Sequence, residues 1–72
     1  MYYVYILKSQ KDGSLYIGYT ADLKKRFKEH NDGLSTSTKY KRPYRLIFYE
    51  AFTDRIDAKH REVYLKSGWG FR

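Results

Sequence analysis

The sequence predicts an α+β domain ordered β-β-α-β-α, a hairpin and a third strand flanked by two helices. Two β-branched and aromatic runs flank Lys11-Asp12-Gly13-Ser14, and Asp-Gly between such runs signals a hairpin. Helical periodicity follows from Ala21 to about Asn31 and again from about Arg55 to Lys66 or Ser67. Between the helical stretches, Tyr44 to Phe52 reads as a strand that opens behind Pro43.

Seventy-two residues suit one domain, 1–72, with one modest core. A chain this short buries only ~60% of its unfolded surface, so its stability needs support. There is no cysteine, which excludes disulfides and thiolate metal sites together. Aromatic packing has to supply the support, from nine Tyr, four Phe and one Trp. No apolar run approaches the ~20 residues of a membrane span, so the expectation is a soluble, cytoplasmic protein with no membrane partner. Fifteen Lys and Arg against eight Asp and Glu give a net charge of +7. The basic residues alternate with aromatics, which favours nucleic acid as the partner over a charge excess kept for solubility.

In the hairpin, a two-residue Asp12-Gly13 loop pairs Ser9 with Tyr16 and Leu7 with Gly18. Alternation then puts Tyr3, Tyr5, Leu7, Tyr16, Gly18 and Thr20 on one face, and Val4, Ile6, Leu15 and Ile17 on the other. A loop one residue longer would split the tyrosines across the sheet. Gly18 is expected to be structural, leaving open space beside the phenols.

Thr20 is the expected N-cap of the first helix, with Asp22 in its first turn and Asn31-Asp32-Gly33 as its stop. Leu23 and Phe27 should pack on the sheet, with Arg26 and His30 at the edge of the same stripe. Lys24, Lys25 and Lys28 point elsewhere. Leu34 to Arg42 reads as a connecting loop, in which hydroxyls and basic side chains could hold a phosphate backbone. Lys24, Lys39, Lys41 and Arg42 are the expected nucleic-acid contacts. In Tyr44–Phe52 the alternation is imperfect, as in a central strand covered on both faces, with Leu46, Phe48 and Glu50 on one side. Thr53 or Asp54 caps the second helix, where Ala58, Glu62 and Leu65 share one arc. Trp69 and Phe71 sit in a tail that ends abruptly, so the natural chain could continue beyond Arg72.

Chemistry is concentrated in few residues. A phenol with an ordinary pKa of ~10 is a poor base unless a cation favours its ionised form. With Tyr5 and Tyr16 on one face, either could take a proton while the other orients water; tyrosine is also simply a good strand residue. The planar fork of Arg26 suits a phosphate. His30 could carry a proton or hold a phosphate, although a helix-end histidine also suits the dipole.

Val4-Tyr5 and Tyr16-Ile17-Gly18, followed by Arg26, His30 and Glu62, resemble in order the motifs of the GIY-YIG nuclease family. The resemblance covers nearly the whole chain and is nearest to the family's small stand-alone members of uncharacterised function. It departs at Tyr3, where glycine is usual, and at Tyr19, where the excision-repair nuclease subunit carries lysine. The resemblance implies a three-stranded antiparallel sheet and metal-dependent hydrolysis of DNA phosphodiesters, in repair or recombination. It implies Tyr5, Tyr16, Arg26 and His30 as catalytic residues and Glu62 as the single acidic ligand of Mg²⁺ or Mn²⁺. One carboxylate plus water and phosphate oxygens can hold such an ion, and without the resemblance Glu62 would read as the partner of Lys59 or Lys66. Two rival expectations are a nucleic-acid-binding module without turnover, and an adaptor docking a larger repair protein through Trp69 and Phe71.

Overall fold

The computed structural model describes residues 1–68. Strands β1 (Tyr2–Ser9), β2 (Leu15–Thr20) and β3 (Tyr44–Phe52) form one antiparallel sheet in the order β2-β1-β3, with helices α1 (Leu23–Asn31) and α2 (Arg55–Lys66). The aromatic tail, Trp69 and Phe71, lies outside the described residues.

The hairpin departs from the expected register. Tyr5 pairs with Gly18 and Leu7 with Tyr16, and the Ser9 amide donates to the Ser14 carbonyl at 2.8 Å. The connection is therefore two residues longer than a two-residue turn. Asp12 stabilises it by accepting from the Ser14 amide and hydroxyl at 2.9 and 2.7 Å, and Gly13 takes φ +78°. Because side-chain direction has period two, a lengthening by two residues keeps both face sets intact.

Each face then makes its own core. Val4 and Ile6 pack with Ala58 and Leu65 of α2, beside Ile17 and Tyr19. Tyr5, Leu7 and Tyr44 pack on the other side with Leu23 and Phe27 of α1 and with Tyr16 and Leu46. Leu23 and Phe27 thus pack as expected, as do Ala58 and Leu65.

The third strand corrects the expectation of a central position. β1 is central and β3 lies at an edge. The imperfect alternation comes from a bulge: Ile6 pairs with Phe48 but Leu7 with Leu46, leaving Ile47 as the extra residue. The bulge reverses the parity of β3. Leu46 faces α1 with Leu7, whereas Phe48 and Glu50 face α2 with Ile6 and Val4, and Tyr49 joins Tyr5 on the α1 side.

Both helices are capped by aspartate. Asp54 caps α2, accepting from the Ile56 amide at 2.7 Å. Asp22 rather than Thr20 is the N-cap of α1, accepting from the Lys25 amide at 3.1 Å. Thr20 acts one step earlier, its hydroxyl accepting from the Asp22 amide at 3.1 Å. At the far end, Asn31 brackets Tyr44 with two hydrogen bonds to its backbone, 2.6 and 3.1 Å, tying α1 to the start of β3.

Candidate active site

The site is built around Tyr5, whose ring is buried on the central strand beside Gly18 of β2. A Cβ at position 18 would collide with the Tyr5 phenol ring and hydroxyl. Gly18 is structural for that reason, and the room it leaves is filled by the tyrosine. The Tyr5 hydroxyl lies 2.8 Å from Nε2 of His30, and Nδ1 of His30 lies 2.8 Å from the Thr38 hydroxyl. The Tyr16 ring completes the cluster, 5.0 Å from His30 and 6.4 Å from Tyr5 between centroids.

His30 is fully buried, not at the edge of the α1 stripe as expected. The physical reason is the segment after α1, which folds back over the helix end. Ser35 and Thr38 are buried there, and the Ser9 hydroxyl donates to the Lys41 carbonyl at 2.6 Å. This segment is therefore packed structure and supplies a wall of the site. A buried imidazole cannot itself meet a bulky phosphate chain, and the Tyr5 ring that it bonds is buried as well.

Burial sets the proton states. It pushes the Tyr5 phenol up to about 12, helped by Tyr16 and Glu62 and opposed by the hydrogen bond and charge of Arg26. Burial also pulls His30 down to about 4, with the Arg26 charge assisting and Glu29 opposing. At neutral pH the pair is a neutral phenol against a neutral imidazole. One ring nitrogen of His30 donates and the other accepts, and both neighbouring hydroxyls can reciprocate.

Arg26 stands where cluster meets solvent. Its side chain is 34% exposed, the half-buried placement expected, and its Nη1 donates to Glu29 Oε1 at 3.0 Å. Glu62 is more enclosed, 14% exposed, and accepts an ion pair from Lys66 at 2.9 Å. It stands on α2, which packs on the Val4 and Ile6 side of the sheet, and its charge is the smallest of the influences on the Tyr5 phenol. Among the described residues, no group of three or more His, Asp or Glu gathers as a metal cage. A single carboxylate can hold a hard divalent ion only together with water and phosphate oxygens, and Glu62 would have to release Lys66 to do so.

Three of the four basic positions expected to contact nucleic acid have partners within the protein. Lys24 is exposed in the first turn of α1. Lys41 lies 3.5 Å from Asp12 of the hairpin loop. Lys39 rests over the Tyr40 ring, and the Arg42 guanidinium packs against Gly33. Sequence reasoning missed Thr38 and Glu29. The i,i+3 spacing from Arg26 could have found Glu29; nothing in a Ser/Thr-rich run distinguishes Thr38 from its neighbours.

Residues 1–69 match the family model described as the GIY-YIG catalytic domain, and the chain belongs to this nuclease family. It is 46% identical over 67 residues to the UPF0213 protein CPE1444 of Clostridium perfringens, covering 92% of this chain and 71% of that protein. With the UPF0213 protein YazA of Bacillus subtilis it shares 47% over 66 residues, covering 90% of this chain and 66% of the relative. The solution NMR structure of the UPF0213 protein BH0048 from Bacillus halodurans superposes with a TM-score of 0.58 at 41% identity, over 93% of this chain and 72% of that one. No helix among the described residues is long and apolar enough to cross a membrane.

Proposed function

We propose that the protein is a divalent-metal-dependent DNA endonuclease that hydrolyses phosphodiester bonds by direct attack of water, acting in the cytoplasm in repair or recombination. The observation that carries this reading is the packing of Tyr5, His30 and Tyr16, the hydroxyl and imidazole 2.8 Å apart and the Tyr16 ring 5.0 Å from His30, with the half-exposed Arg26 hydrogen-bonded to Tyr5. Arg26 supplies planar, charged donors to a phosphate and steadies the charge that develops as water attacks. The neutral Tyr5 hydroxyl, buried and pinned by His30, positions Arg26 through their hydrogen bond rather than ionising. Tyr16 is the half-buried phenol of the two, so water reaches it more readily, and as the phenolate it would take the proton and become the neutral phenol. Glu62 is the residue that would hold Mg²⁺ or Mn²⁺, whose chemistry when bound is stabilisation of the departing 3′-oxygen.

The test is cleavage of labelled single-stranded, duplex, flap and branched DNA with Mg²⁺, with Mn²⁺ and with chelator, for the wild type, Arg26→Ala and Glu62→Gln. Metal-dependent cutting abolished in both folded variants is the expected result. Salt-sensitive binding that never leads to cutting would instead mark a nucleic-acid-binding module.

A further inference from the structure

Beside the cluster runs a second concavity, about 500 Å³, between α1 and the α1-facing side of the sheet. Tyr3, Leu23, Phe27, Leu46 and Tyr49 line it, with Lys24 at its rim. The bulge at Ile47 is what brings Tyr49 to this face. The Tyr49 ring sits 6.2 Å from Tyr3 and tilted 60° to it, and Tyr49 is 54% exposed, so its face is open to a ligand. Asp22, which also borders the space, is engaged as the α1 cap.

We infer that this groove takes an unpaired nucleobase of the DNA strand being cut, which makes single-stranded or locally unpaired DNA the preferred substrate class. The inference rests on the nuclease reading. Three observations carry it. The exposed Tyr49 ring, backed by the half-buried Tyr3 in a mostly apolar trough, suits a flat aromatic ring, and base–aromatic stacking tolerates any base. Lys24 borders a mostly apolar trough whose one carboxylate, Asp22, is taken up by the α1 cap, and on a chain of net charge +7 that lysine matches a ring joined to a phosphate. Tyr3 precedes Tyr5 on the same face of β1 at a separation of ~7 Å, and Arg26 stands on α1 between the groove residues Leu23 and Phe27, so a base in the groove brings its neighbouring phosphate within reach of Arg26. A duplex keeps its bases stacked and paired and cannot offer one to the groove without flipping it out.

The experiment measures binding of labelled single-stranded and duplex oligonucleotides to wild type, Tyr49→Ala and Tyr49→Phe, with metal-dependent cleavage assayed alongside. Tyr49→Ala should weaken single-strand binding roughly 5- to 150-fold and leave duplex binding unchanged, while Tyr49→Phe keeps wild-type affinity. A single abasic position should weaken the wild type by the same factor and cost Tyr49→Ala nothing more. Wild-type affinity in Tyr49→Ala, or equal loss for single strand and duplex, overturns the inference. If cutting still depends on Arg26, the nuclease reading survives that failure. Base-dependent binding with no cutting under either metal leaves the groove standing and removes the nuclease.

Discussion

The Tyr5 hydroxyl and His30 Nε2, 25 residues apart in the chain, meet at 2.8 Å inside the core. Neither group reaches water, and each is the other's partner, with Thr38 completing the row. Among the described residues no buried side-chain polar atom lacks a hydrogen bond, so breaking this row leaves an unpaired group in the interior. Thr38→Val, nearly isosteric, should cost about 1–3 kcal/mol by orphaning Nδ1 of His30. His30→Ala adds a cavity and should cost ~3 kcal/mol or more. Urea midpoints for both variants decide this; an unchanged midpoint in Thr38→Val would remove the hydroxyl from the account.

The same burial makes the fold sensitive to acid. His30 titrates near 4 when folded against an ordinary 6.5. Between those values the unfolded chain holds a proton that the folded chain refuses, so stability is complete above about 6.5 and declines as pH falls toward 4. The difference amounts to on the order of 3 kcal/mol. Urea titrations at pH 7, 6, 5 and 4 should show this decline, and His30→Gln should flatten it.

An alkaline limb mirrors it. Tyr5 is held up to about 12, so the unfolded chain ionises first as pH rises past ~10, and stability should fall between those two values. Absorbance titration of wild type against Tyr5→Phe would reveal the late-ionising phenol as the difference between the two curves.

Gly18→Ala sets a methyl against the Tyr5 phenol. Displacing that ring breaks the bond to His30, and overpacking adds its own penalty, in all about 1–3 kcal/mol. Combined with Tyr5→Leu, the substitution should cost less than the sum of the two single changes, because the atoms it strikes are gone. Additive losses would show that the two positions do not meet.

Glu29 holds Arg26 by one hydrogen bond and offers a negative charge where a phosphate is expected. Glu29→Gln should tighten DNA binding several-fold and steepen its salt dependence by up to about one in the log–log slope. Weaker binding in this variant would mean that Glu29 is needed to aim the guanidinium.

Local signals in the sequence determined the element order, the bounds of β3 and α2 to within a residue, and the sets of residues sharing each hairpin face. Strand alternation and helical periodicity are properties of neighbours in the chain, so they can be read there, whereas the loop length of the hairpin and the choice of Asp22 over Thr20 as the α1 cap were not. Tertiary packing alone decided that His30 is interior, that the Ser/Thr run is a wall rather than a loose connector, and that β3 lies at the edge with a bulge at Ile47. The physical reason is the same in each case. Whether a polar side chain is buried depends on a partner supplied from elsewhere, as Thr38 is supplied to His30, and strand order depends on which surfaces α1 and α2 cover together. The candidate site falls on both sides of this divide. Its residues were legible as a constellation, while their proton states and the Tyr3–Tyr49 groove exist only once the sheet is assembled.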